Sequence, residues 1–542
     1  MTRLLGGLIA VVVLATPALA QHEHPANATA SEKLGTVAFE TSCAPAVRAD
    51  FNRAVALLHS FEFRPAMEGF TRVLERDSSC AIAYWGIALC HWGNPFGGQK
   101  TGPLLERGLA AAQKGLSTGS PTPRERAFLE AAAALYMGAA TTPHRDRTLA
   151  YEKAMERVQR ESPDDIEARM FYALAVSQTA LATDKTYANQ AKAGAILEPL
   201  FERYPEHPGL AHYIIHAYDV PALAPKALHA ARRYASIAPS APHALHMPSH
   251  TFTRVGSWKE SIETNIASER VALDHNVIGE ALHAMDYQLY AYLQGAQDRK
   301  ALAVVTRAPG VAAKLDPNAM GGAASPVAAM FSVAAIPARY ALERGAWAEA
   351  AALTPSPSPS PLPFIDAIVH FARAIGAARS GTAAAAKPDL ERLARLRDKV
   401  AEMKDAYWAE QVDIQRRVAT AWVTFAEGRR DEGIQALRAA ADAEDATDKA
   451  AITPGPLAPA RELLGDMLLD AGNAKEALVA FEATMKKEPN RFRGAYGAAR
   501  AAEAAGDRAK AITYYRTLLD IARDADTARP ELERARAFVK QS

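Results

Sequence analysis

Toward the C-terminus the chain repeats one arrangement of apolar and polar positions. LLGDMLLDAGNAKEALVAFEATMKKEPN and AYGAARAAEAAGDRAKAITYYRTLLDIA place Gly472 and Gly506, Ala477 and Ala511, and Phe481 and Tyr515 each 34 residues apart. The pattern predicts two helices per copy. The glycine ends the first, the small residue lets the second pack close, and the aromatic ring fills the gap between them. The same offsets recur upstream at Ala66, Phe70 and Trp85, around Gly256 in VGSWKESIETN, and around Gly428 in FAEGRRDEGIQALRAA. The match is looser from 97 to 165 and from 300 to 410.

A 34-residue period with glycine, small and aromatic residues at these offsets resembles the tetratricopeptide repeat. The whole chain is also similar to a group of exported bacterial repeat proteins of unknown activity. The resemblance implies an all-α fold, an α-solenoid of tetratricopeptide-like helical hairpins that each bury their apolar side against the next. In that family the first helices of the pairs line a concave groove, the expected docking surface for a protein or peptide partner. Residues 41–350 form the expected N-terminal solenoid and 364–542 a C-terminal helical block ending in clear repeats. Between them 351–363, carrying TPSPSPSPSPLP, reads as a semi-rigid Pro/Ser linker.

Composition agrees with helices. The chain has 542 residues, too many for one ordinary core, and 49% of them are apolar. Its 62 basic and 61 acidic residues leave a net charge of +1, which supplies no basic footprint for nucleic acid. Residues 1–20 read as an export signal, with Arg3, an apolar run from Leu4 to Leu14, and Ala18-Leu19-Ala20 as cleavage site. Residues 21–40 read as a loose tail, in which QHEHP offers two histidines to copper. No later segment is long and apolar enough for a membrane span. The mature protein is therefore expected in the periplasm or outside the cell.

Export permits a disulfide. Cys43 precedes one predicted helix pair and Cys80 the next, so stacking would bring them together, and Cys43–Cys80 is the expected bridge. Cys90, within a helix between Leu89 and His91, reads as a buried thiol.

Nine of the 15 histidines lie between His207 and His283. HYIIHAYD and HALHMPSH put His212 and His246, and again His216 and His250, 34 residues apart. Residues i, i+3, i+4 and i+7 share one helix face, so His212, His216 and Asp219 form one stripe and His243, His246 and His250 another. HAMDY adds His283 and Asp286. Helix axes about 8–10 Å apart would let imidazoles from neighbouring helices meet at a transition metal, zinc or copper first, with the carboxylates as ligands or ring orienters. Pro248 interrupts the second stripe, so the helix either kinks there or begins there.

His59, Trp85 and His91 could extend the candidate groove, Trp85 as either a core or a groove aromatic, whereas His207, His229 and His275 lie off the stripes and read as surface residues. There is no glycine-rich phosphate loop, G-x-S-x-G elbow or H-E-x-x-H. The pattern supports an exported repeat scaffold with a histidine-lined metal site. Two alternatives stand beside it: a metal-dependent hydrolase or oxidase with Glu280 or Asp286 as base, and a metal-free interaction scaffold.

Overall fold

A computed structural model describes residues 32–100, 102–119, 121–316 and 322–541. The expected export signal and the tail as far as residue 31, QHEHP included, lie outside these residues. Among the described residues every regular element is a helix. Helices adjacent in sequence pack as pairs, and alternate helices also touch one another. Thus Arg48–His59 meets Ala83–Trp92, Ile166–Gln178 meets Pro208–Ala217, and Ile278–Gln294 meets Pro326–Glu343. This two-layer arrangement is the expected all-α solenoid.

The C-terminal repeats show why the pattern works. Gly472 and Gly506 turn the chain at φ of +83° and +80°, in the left-handed region open to glycine. Phe481 is fully buried between two neighbouring helices, each offering a glycine. A Cβ at Gly497 would stand 2.2 Å from its ring, and one at Gly465 2.7 Å. Cys43 and Cys80 are joined as a disulfide, with Cα atoms 4.7 Å apart and 37 residues of separation. In the chain-entropy picture this closure is worth about 4 kcal/mol. Cys90 is a free, buried thiol, and burial pushes its pKa up.

Three expectations differ from the fold. Residues 34–40 are extended but tied down: Leu34 and Phe39 are buried, Phe39 packs on Phe51, Trp85 and Phe128, and Thr36 N–H donates to the Glu206 carbonyl at 2.8 Å. The Pro/Ser stretch carries no helix from Leu353 to Leu362, yet Pro326–Glu343 and Trp347–Ala351 before it both pack on Pro363–Arg379 after it in one core. The stretch is thus a loop over a continuous core rather than a spacer between separate blocks. His59, expected in the groove, is fully buried, and of the two readings of Trp85 the fully buried ring takes the core one. Trp85 sits edge-on to Phe128 and Phe171 as a core aromatic.

The solenoid also curls back on itself. Helix Arg48–His59 touches Pro208–Ala217, and Ile278–Gln294 touches Phe492–Ala504. Buried ion pairs fasten the return. Arg491 spans Glu343 and Glu462 at 3.0 and 3.1 Å, and Arg339 joins Asp286 at 2.9 Å while donating to the carbonyls of Gly455 and Pro456. The segment after the Arg430–Asp445 helix is thereby laid over the histidine-bearing helices.

Candidate metal centre

Three prolines start the helical segments that carry His212, His216, His243, His246 and His250. Pro208 opens Pro208–Ala217, Pro242 opens Pro242–His246 and Pro248 opens Pro248–Val255, each where a missing N–H and a fixed φ cost nothing. The Pro248 question resolves as an interrupted helix rather than a loop. Met247 keeps helical dihedrals (φ −54°, ψ −35°), and its N–H donates to the His243 carbonyl at 2.9 Å. His243, His246 and His250 therefore remain on one side.

The imidazoles gather into two groups of three. His212, His216 and His243 each present a ring nitrogen within 4.8 Å of the others, and so do His246, His250 and His283. All are buried except His216, which is half-buried. The groups adjoin. His216–His250 and His243–His246 ring centres are 6.4 and 6.2 Å apart across the groups, close to the longest separation within one, His216–His243 at 6.3 Å. They occupy the interior, not an open groove.

Hydrogen bonds set the tautomers. His212 Nδ1 donates to the His59 carbonyl at 2.6 Å, and His250 Nδ1 to Asp219 Oδ2 at 2.9 Å, because both partners only accept. His246 Nδ1 donates to Asn265 Oδ1 at 2.8 Å. That amide is oriented by its own Nδ2, which donates to the Ser261 carbonyl at 2.7 Å. The Nε2 atoms of His246 and His250 must then both carry lone pairs, yet they face each other at 3.2 Å. A cation held between them would relieve that contact. Two nitrogens bound to one tetrahedral ion at about 2.0–2.1 Å lie about 3.3 Å apart. His212 Nε2, His216 Nε2, both ring nitrogens of His243 and His283 Nδ1 are buried with no hydrogen-bond partner.

Burial disfavours a proton in that place. Burial, and then the other imidazoles, holds His212, His216, His246 and His283 well below the usual histidine range. Burial pushes His250 down to about 4 although Asp219 opposes it. Six clustered imidazoles, three of them (His212, His246 and His250) with Nδ1 anchored, form a donor set of the kind nitrogen-loving metals need.

The carboxylates divide. Asp219 orients His250 and is itself held by Arg254 at 2.9 Å and Lys449 at 3.4 Å, so its charge is already matched. Asp286 faces Arg339 and lies outside both ligand groups; the expectation that it serves as ligand fails because its partner comes from a helix far along the chain. Glu280 Oε2 stands 3.5 Å from His243 Nδ1. Glu62 accepts from the His243 N–H at 3.4 Å, and burial, then Glu280, pushes it up to about 8.

His207 is not a surface residue. It and His59 bond the two oxygens of buried Glu167 at 3.1 and 2.9 Å, a buttress under the carbonyl that fixes His212. His229 and His275 are exposed, and His91 is half-buried. Tyr287, one turn beyond His283, packs on His246, His250 and His283 with ring centres 4.8–5.2 Å away. Its i+4 spacing was readable, whereas Asn265, Lys449 and the His59 carbonyl carry no local signal.

No protein-family model matches the chain, and no curated protein matches it. Among solved structures, the human IFIT1 dimer with m7Gppp-AAAA aligns with 89% of this chain and 96% of its own, at 11% identity and a TM-score of 0.39.

Proposed function

We propose that this is an exported metalloprotein that uses a tetratricopeptide-like solenoid to hold two adjacent transition-metal ions. One ion sits on His212, His216 and His243, the other on His246, His250 and His283. The observation that carries this reading is the opposed pair of Nε2 lone pairs on His246 and His250, 3.2 Å apart in the interior. All-imidazole donor sets suit copper and zinc. Copper is the first choice, because two Cu(I) ions bring half the charge of two divalent ions into a buried site whose carboxylate, Asp219, is already paired with cations. The leader-like first twenty residues and the Cys43–Cys80 bridge support an oxidising compartment.

A peptide-binding role for the histidines fits less well, since they are buried. A catalytic role is favoured by one observation. A cavity of about 400 Å³, lined by Phe63, Arg64, Ile278 and Ala324, also includes Glu62, which touches the His243 backbone. That volume suits a small organic molecule.

Metal analysis of the protein after reconstitution and removal of excess ion tests the proposal. Two ions per chain are expected, falling to one or none in His212→Gln and His250→Gln variants that keep full helical circular dichroism. A folded wild-type chain that retains no stoichiometric metal overturns it. Turnover of a small molecule that is lost in both variants and reduced by Ala324→Leu would establish catalysis.

A further inference from the structure

Resting on the two-ion reading, we infer that the pair binds dioxygen between its ions. Each group supplies three imidazoles, leaving an open position on a four-coordinate ion. The nearest rings of the two groups stand 6.2 and 6.4 Å apart, about the longest separations within a group, so ions held by the two groups would be close enough for one small molecule to span both.

The surroundings select for size and polarity. Phe61 packs on His212, His216 and His243 with ring centres 4.4, 5.5 and 5.7 Å away. It is held at φ +56°, an unusual backbone state for a bulky residue. Its ring also borders a pocket of about 30 Å³ whose other walls include Leu58, Leu89, Trp92, Phe171 and Leu174. A void of that size holds about one molecule as small as water. Its lining is mostly apolar, with Tyr151, Gln178 and Tyr213 as the polar members, which offers water little and suits an apolar diatomic. A molecule of dioxygen's size and polarity held there would lie against the aromatic wall of one histidine group.

The chemistry balances within the site. Each of two Cu(I) ions gives one electron, the O–O bond order falls from two to one, copper–oxygen bonds form to both ions, and no proton is required. The two-electron-reduced dianion also offsets the charge gained as the ions become Cu(II).

Anaerobic protein loaded with Cu(I) and freed of excess is exposed to dissolved dioxygen, with copper content, oxygen uptake, absorption and electron paramagnetic resonance followed on one sample. Expected are two coppers per chain, one dioxygen taken up per pair, a new near-ultraviolet band, and a resonance-silent product in which the two Cu(II) spins are coupled. Two bound coppers without uptake, or a product whose signal integrates to two isolated Cu(II) ions, overturns this inference and leaves the two-ion reading intact. Uptake of zinc but not copper does the same. No stoichiometric metal of either kind in folded protein overturns both. Leu89→Phe and, separately, Leu174→Phe narrow the pocket: copper content should hold while dioxygen association slows several-fold. Unchanged rates in both overturn the pocket as the route.

Discussion

At the residue scale, Glu62 shows how burial sets a charge state beside the imidazoles. With its carboxyl at about 8 when folded and near 4.5 otherwise, the folded chain holds a proton that the unfolded chain releases. This contribution is complete below pH about 4.5 and is lost as pH rises through about 8. The loss is on the order of 4 kcal/mol. Glu62→Gln keeps an acceptor for the His243 N–H and removes the titration. Denaturant titrations of the metal-free protein should show the wild type losing stability relative to the variant between those pH values, and parallel curves would refute it. Histidine pairs at i, i+4 were legible because a helix alone brings them to one face. Asp286 was misread because its partner, Arg339, lies in another helix, and His207 because Glu167 does.

At the element scale, glycine has two meanings that the apolar pattern alone does not separate. Gly497 lies in helix Phe492–Ala504 against Phe481, where a methyl group has no room. Gly497→Ala should cost about 1–3 kcal/mol by overpacking. Gly310 lies in helix Asp298–Ala312 with nothing within 4 Å of the position a Cβ would take. Gly310→Ala should stabilise by about 0.5–1 kcal/mol through helix propensity and a less flexible unfolded chain. Chemical denaturation of both variants decides it, and equal effects would remove the distinction. The repeat register was readable near the C-terminus because glycine, alanine and aromatic recur at fixed offsets. Around Pro248 the sequence left a kink and a loop both open, and only the backbone dihedrals of Met247 choose between them.

At the scale of the whole molecule, the C-terminal return places Lys449 against the centre. It pairs with Asp219 and lies 5.9 Å from the Tyr287 ring centre. Its charge disfavours further positive charge at His216, His250 and His283. Lys449→Met should therefore tighten metal binding by about tenfold, the effect of roughly 1.4 kcal/mol of relieved repulsion. Competition against a chelator of known affinity measures it, and equal or weaker binding would show that the ions do not sense this charge.

Periodicity and spacing were sufficient for the helices, their pairing, the Cys43–Cys80 bridge and the histidine stripes, since each depends on neighbours along one or two repeats. Only the tertiary structure decided that the stripes face an interior, that six imidazoles divide into two adjoining groups, and which carboxylate serves them. Those outcomes depend on the solenoid curling far enough to bring residues more than two hundred positions apart, Asp219 and Lys449 among them, into contact. Curvature accumulates from small rotations at every helix interface, and no local pattern encodes the sum.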